Sequence, residues 1–121
     1  KGTVSGMAQS IVNEMVRNFG CRPTDMLAAI GPSISAERYP VGEEITSAVQ
    51  RAFPDQDDLL PSYNGAAHFE LWAANMSTLR QCGVKAIELS GLCTAAHTDQ
   101  FYSHRGEAGT TGRFGALIAL R

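Results

Sequence analysis

The sequence predicts a mixed α+β fold in a single domain, and three observations carry that prediction. Apolar residues recur at three- and four-residue steps in three separated stretches, as the buried faces of amphipathic helices require. Beside them lie short apolar or alternating runs of strand length, "MLAAIG", "KAIELSG" and "FGALIAL". The chain has 121 residues, enough for one modest core.

Val4, Met7, Ala8, Ile11, Val12, Met15 and Phe19 fall on one helical face and predict a first helix from Val4 to Phe19, with Gly20 where a C-cap belongs. Pro23 and Asp25 mark a turn, after which "MLAAIG" is the uniformly apolar run of a buried strand ending at Gly31-Pro32. Val41, Ile45, Val49 and Phe53 stand at four-residue intervals and predict a second helix over 41–53, its Glu43 and Glu44 suited to the macrodipole in the first turn. "PDQDDLLPSYNGAA" concentrates Pro, Asp, Asn and Gly and reads as a loop, without a domain boundary. Trp72, Met76, Leu79 and Cys82 predict a third helix over 69–82. "KAIELSG" alternates as a half-buried strand does, and "FGALIAL" reads as the last strand. Helices at these spacings suit a layered α/β or α+β sandwich, with the sheet order left open; there is no internal repeat or low-complexity tract.

With 44% hydrophobic residues, 18% charged residues and a formal net charge of -2, the composition is that of a globular protein. The slight acidity and the lack of a basic stripe argue against nucleic acid as a partner. The apolar runs are far shorter than the roughly 20 residues of a membrane span, so no membrane partner is expected. The first residues, "KGTVSGMAQSIV", lack a basic segment followed by an apolar one, and they read as a chain starting in mid-domain rather than as a signal peptide. Cys21, Cys82 and Cys93 are odd in number and widely spaced, which predicts reduced thiols and a cytoplasmic setting.

The chemistry concentrates in "SGLCTAAHTDQFYSHRGEAGTTGR", residues 90–113. Cys93 and His97 are four residues apart, a spacing that on a helix would pair a thiolate with an imidazole or two metal ligands. Against this, His68 and His104 complete no recognisable zinc spacing, and a cysteine directly after an apolar strand is commonly a small buried hydrophobe. "GEAGTTGR" is not a Walker loop, because Arg113 and Phe114 follow its last glycine where Lys and Ser or Thr belong. Ser103, Arg105, Thr110, Thr111 and Arg113 offer hydroxyl, backbone and guanidinium donors to an anion or a sugar; equally, Thr111-Gly112 is a turn that Arg113 ties to a neighbouring carbonyl or carboxylate. Glu70 near His68 is either an acid/base pair or a helix N-terminal carboxylate favourable to the dipole. The methionines and Trp72 read as core, and Glu37-Arg38 as a solvated turn.

Several stretches in series resemble one family. "KGTVSGMAQSIVNEMV" resembles the segment after that family's His-Ala-Gly-Trp, "LAAIGPSISAERYPVGEEI" its Gly-Pro-x-Ile and Tyr-x-Val-Gly region, and "HFELWAANMSTL" its His-x-Asp-Leu-Trp-x-x-Asn helix. "SGLCTAAHTDQFYSHRGEAGTTGRFGALIAL" resembles its Cys-Thr turn, its Phe-x-Ser-x-Arg and its Thr-Gly-Arg strand entry. On these motifs, which run from end to end in order, the chain is identified as a member of the YfiH-like or laccase-domain family, also described as polyphenol oxidases and purine nucleoside phosphorylases.

The resemblance implies an α/β sandwich of about twice this length, related to the catalytic domain of cytotoxic necrotizing factors, with residues 1–121 forming its C-terminal part. It implies a zinc-dependent purine nucleoside phosphorylase that cleaves adenosine, inosine or methylthioadenosine with phosphate, with adenosine deaminase activity as well. The zinc ligands implied, two histidines and a cysteine, lie upstream in Gln-Val-His, Ala-Asp-Cys-x-Pro and His-Ala-Gly-Trp motifs, so this chain supplies no metal ligand and its partner would be the missing N-terminal half of the same domain. The main catalytic residues are likewise expected upstream of Lys1, and the substrate-binding residues expected from this half are Lys1, Ser103, Arg105 and Arg113.

Glu37-Arg38, Glu70 and Arg105-Gly106 depart from the family's usual Cys-Cys or Arg-x, Asp and Arg-Arg. Two further readings are a cysteine-type amide hydrolase editing peptidoglycan precursors, and a non-catalytic half that needs the N-terminal segment. A multi-copper oxidase is the least supported, since three cysteines and three histidines cannot populate several copper centres.

Overall fold

The computed structural model describes residues 1–119. In chain order the elements are α1 (Met7–Phe19), β1 (Leu27–Ile30), α2 (Glu43–Ala52), β2 (Ser62–Tyr63), β3 (Ala66–Ala67), α3 (Leu71–Gln81) and β4 (Ala86–Leu89), with single 3-10 turns at Pro23–Asp25, Ala36–Arg38 and Asp57–Leu59. The architecture is mixed α+β with small sheets, as the apolar periodicities predict.

β1 and β4 pair in parallel, Leu27 opposite Ala86 through Ile30 opposite Leu89. Parallel neighbours require a crossover, and here it carries α2, the β2–β3 hairpin and α3. The pairing continues past both strands: Ser90 N–H donates to the Ile30 carbonyl at 2.9 Å, and Ser33 N–H to that of Leu92 at 3.1 Å. A parallel bridge between Ser33 and Cys93 follows.

Three expectations are corrected. The first helix begins at Met7 and not Val4: residues 2–6 form separate turns, and Gly6, left-handed at φ 71°, breaks the helical path. Its end is as expected, because Gly20 is left-handed at φ 65° and the Gly20 and Cys21 N–H groups return to the Val16 and Met15 carbonyls in a Schellman arrangement. The loop 54–67 contains the β2–β3 hairpin, since Asn64 and Gly65 (φ 52° and 79°) supply the paired positive φ of a type I′ turn. The expected last strand is absent over Phe114–Ala119, while Leu120 lies outside the described residues. A strand exists through its ladder, and among the described residues no backbone hydrogen bond reaches 112–119. Leu117 is accordingly 98% exposed.

Two clusters form the core. Val49, Phe53, Leu59, Phe69 and Ala74 make the first, with Tyr39 and Leu71 packed on its edge. Val12, Met26 and Val84 make the second, with Leu79 and Ile87 against it. α3 joins them, because Ala74 belongs to one and Leu79 touches the other. Only Val12 of α1 is buried, and Met7, Ile11, Met15, Val16 and Phe19 remain exposed on it. An apolar cleft of ≈ 970 Å³ lies between α1 and β1, lined by Ile11, Met15, Leu27, Ala29, Leu79 and Ile118 among others.

Candidate functional site

In the larger cleft the charged lining residues among those described, Arg22 and Asp25, are spent on each other, with guanidinium–carboxylate distances of 2.7 and 2.6 Å. The polar chemistry gathers in a second cavity of ≈ 470 Å³, lined by Lys1, Ser33, Thr94, Tyr102, Ser103 and Arg105 among others. It opens where the chain leaves the carboxyl ends of β1 and β4, since Pro32-Ser33-Ile34 follow one strand and Thr94 the other. In open parallel sheets this is where ligands bind, because the loops diverge there and leave a crevice.

Of the predicted site residues, Lys1, Ser103 and Arg105 meet on this cavity. Lys1 is brought there by the turn 1–6 and by Thr3, whose hydroxyl accepts from Asn75 Nδ2 of α3 at 3.2 Å. Arg105 is exposed but fixed: its Nη1 donates to the Pro40 carbonyl at 3.2 Å and its guanidinium carbon lies 5.2 Å from the Tyr39 ring centroid. A guanidinium has several further N–H donors, so these anchors leave it able to bind an anion. Arg113 does not line the cavity; its Nη1 turns back to the Gly112 carbonyl at 2.9 Å, the turn-bracing role the sequence left open for it.

Ser103 is buried, and its side chain acts inside the loop, the hydroxyl accepting from Gly106 N–H at 3.2 Å. Glu107 closes that loop by accepting from Ser103 N–H at 2.7 Å and Thr111 Oγ1 at 2.5 Å. The Thr111 hydroxyl first, then the Ser103 amide, hold its carboxyl below the usual carboxylate range. Its folded pKa is therefore below its unfolded one, so these bonds contribute fully above the unfolded pKa and are lost as pH falls through the folded value. Amide exchange of Ser103, followed by NMR, should lose protection as pH falls below the ordinary carboxylate range.

Gly106 stands where neighbouring groups leave no room for a side chain. A Cβ there would lie 2.8 Å from Thr98 Cγ2, 3.1 Å from Ala95 Cα and 3.1 Å from Ser103 Oγ. Gly106→Ala is expected to destabilise by about 1–3 kcal/mol through overpacking, measured as a lower urea midpoint with unchanged slope. Gly112 is similarly constrained, since a Cβ would meet Tyr102 Cζ at 2.8 Å. One face of the Tyr102 ring thus rests on bare backbone while the residue lines the cavity. Phe114, also on the cavity, is backed by Phe101 at a 6.1 Å centroid distance.

Cys93 and His97 do not form a pair. Residues 94–99 are turns rather than helix, and the link between the two is backbone, His97 N–H to the Cys93 carbonyl at 3.2 Å. Cys93 is buried, and its sulfur receives the Ser35 hydroxyl at 3.2 Å and the Ser35 N–H at 3.3 Å. Burial pushes the thiol up, but the Ser35 hydroxyl and N–H, with the Ala96 and Ala95 amides, outweigh it and leave the pKa lowered. His68 is buried and donates from Nδ1 to the Ala36 carbonyl at 2.6 Å, with Tyr63 edge-on at 5.0 Å. That is a structural role, and no hydrogen bond joins it to Glu70 at the start of α3. Trp72 is only half-buried and donates to Ser33 Oγ at 2.7 Å, bracing the cavity floor. Among the described residues, no three His, Cys, Asp or Glu side chains are grouped to hold a metal ion.

The aromatic wall of Tyr39, Tyr102 and Phe114 was not singled out from sequence. The signal in reach was local: Tyr102 directly precedes Ser103, and Phe114 directly follows Arg113. Tyr39 stands in the Tyr-x-Val-Gly motif, but nothing in sequence ties it to this loop: it reaches Arg105 from more than sixty positions away, with Arg105 bonded to its neighbour Pro40 at a separation of 65.

The α+β scaffold brings cations and aromatic rings together on one cavity beyond two parallel strand ends, where open parallel sheets commonly bind ligands. All of residues 1–121 match the sequence family described as multi-copper polyphenol oxidoreductase laccase, and the chain belongs to that family. It is 38% identical over 120 residues to a purine nucleoside phosphorylase of Deinococcus radiodurans, covering 99% of this chain and 46% of that protein. It is 34% identical over 118 residues to adenosine deaminase RL5 from an unknown prokaryotic organism, covering 93% of this chain and 44% of that one. The crystal structure of the Bacillus licheniformis hypothetical protein YfiH superposes with a TM-score of 0.83 at 33% identity, over 92% of this chain and 43% of the other. The chain thus spans somewhat under half the length of these relatives. No helix among the described residues is long and apolar enough to cross a membrane.

Proposed function

We propose that this chain is the C-terminal part of a single YfiH-like laccase domain, of the sandwich type related to the toxin catalytic domain, and that the complete protein is a cytoplasmic purine nucleoside phosphorylase with accompanying adenosine deaminase activity. The observation that carries the phosphorylase reading is the convergence of Lys1 and Arg105 with Tyr102 and Phe114 on one cavity. Cations beside aromatic faces suit a substrate pair of phosphate and purine nucleoside. Inorganic phosphate, held by the two cations, attacks the anomeric carbon of the ribose. The new C–O bond forms as the glycosidic C–N bond breaks, and its electron pair leaves with the purine, which takes up a proton. Ribose 1-phosphate and the free base result. Arg105 serves the phosphate by charge-assisted bonds and Lys1 as a compact point charge; Arg113 would hold the turn that carries Phe114.

The described residues do not form a zinc site, because Cys93 and His68 are each spent on structural hydrogen bonds and no cluster of suitable donors exists among them. Zinc dependence is proposed with ligands from outside this chain, as the family resemblance implies.

The test is product analysis with the complete protein, given adenosine or inosine with and without phosphate. Ribose 1-phosphate formed only with phosphate supports the reading. Free ribose formed regardless of phosphate, or no turnover by folded protein, overturns it.

A further inference from the structure

We propose that Glu107 is a positioning residue that fixes the 103–111 loop and thereby holds Arg105 on the cavity. What Arg105 binds there rests on the phosphorylase reading.

The loop leaves Arg105 in need of outside support. Among the described residues its backbone makes no hydrogen bond, and its side chain is held only by Pro40 and Tyr39 across the cavity edge. The position of its Cα is set by the flanking residues. One Glu107 carboxylate oxygen accepts both Ser103 N–H, two residues before Arg105, and the Thr111 hydroxyl at the far end of the loop. The Glu107 N–H returns to the Ser103 carbonyl at 2.9 Å, so backbone and side chain close the same span. Ser103 is itself buried and also accepts from Gly106 N–H, which flanks Arg105 on the other side.

A second observation is independent of the carboxylate. Ala108, directly after Glu107, is left-handed at φ 51°, and Gly109 at φ 86°. A residue with a Cβ stays in that region only where its surroundings over-determine it. The Gly109 N–H to His104 carbonyl bond (2.7 Å) and the Thr110 N–H to Glu107 carbonyl bond (3.1 Å) do so around the clamp. Glu107 does not line the cavity, so any effect it has on a ligand is indirect, through the loop residues Ser103 and Arg105 that do, and an Arg105→Ala background separates Arg105 from the rest.

The test is a double-mutant cycle in the complete protein. Glu107→Ala is expected to raise the phosphate KM about 5- to 20-fold with little change in nucleoside KM, and to add nothing in an Arg105→Ala background. Glu107→Gln keeps an acceptor of the same shape and should fall between; Thr111→Val should give a smaller rise through the same path. These two variants decide the matter if the alanine variant does not fold. An unchanged phosphate KM, or an equal rise with and without Arg105, overturns the proposal. If the wild-type protein makes no ribose 1-phosphate, the phosphorylase reading fails separately, and positioning is decided by the Arg105 Nε–H NMR signal. A shift of that signal in Glu107→Ala supports it, and an unmoved signal overturns it.

Discussion

Arg105→Ala in the complete protein is expected to raise the KM for phosphate about 10- to 100-fold, since hydrogen bonds to a charged group contribute roughly 1.5–3 kcal/mol and each 1.4 kcal/mol is tenfold. The nucleoside KM should stay within about twofold, because the base and ribose would meet other walls of the cavity. The split follows from the anchoring. Pro40 and Tyr39 hold the guanidinium before ligand arrives, so little side-chain entropy is lost on binding. Arg105→Lys separates charge from geometry: it keeps the cation but loses the fork and much of the stacking on Tyr39, and should give an intermediate KM. Steady-state kinetics at varied phosphate would read both variants. An unchanged KM in Arg105→Ala would remove this residue from phosphate binding and leave Lys1 as the cation on the cavity.

How far the sequence foretold this arrangement depended on whether the signal was local. Helix periodicity located α2 because its apolar face buries Val49, and α3 because Leu79 and Cys82 of its repeat pack against the second cluster, while Ala74, the buried residue of α3, lies on the other face in the first. It over-extended α1, since Val4 continues the apolar repeat while Gly6 breaks the backbone. "FGALIAL" has the composition of a strand, but pairing is a property of two segments, and composition reports on one. In the site, the motif-bearing loop was legible because Ser103 and Arg105 stand two residues apart in sequence. The tightness around Gly106 was not, because Ala95 and Thr98 approach it through a fold in the chain. The Cys93–His97 spacing, weighed in the sequence against a small buried cysteine, does not become a pair: four residues pair side chains on a helix, and this segment is a series of turns.

Leu59→Ala is expected to destabilise the complete protein by about 2–5 kcal/mol, the range for truncating a buried leucine where the site relaxes only partly. Leu59 is 1% exposed and sits among Val49, Phe53, Phe69 and Ala74, so no solvent can replace the lost methyl groups. Its backbone carbonyl also accepts Glu70 N–H at 2.9 Å, which ties the 3-10 turn to the start of α3. Tyr39 and Leu71 pack against this cluster and line the candidate cavity. Loosening the core therefore reaches the surface that backs Arg105. Chemical denaturation should show a lower midpoint with unchanged slope, the signature of lost stability in an unaltered fold. At temperatures where the variant stays folded, its phosphate KM should rise far less than that of Arg105→Ala, because a cavity behind Tyr39 weakens the support of the guanidinium without removing its charge. A Leu59→Ala protein as stable as wild type would mean that other parts of the complete domain, and not this cluster, hold the wall in place.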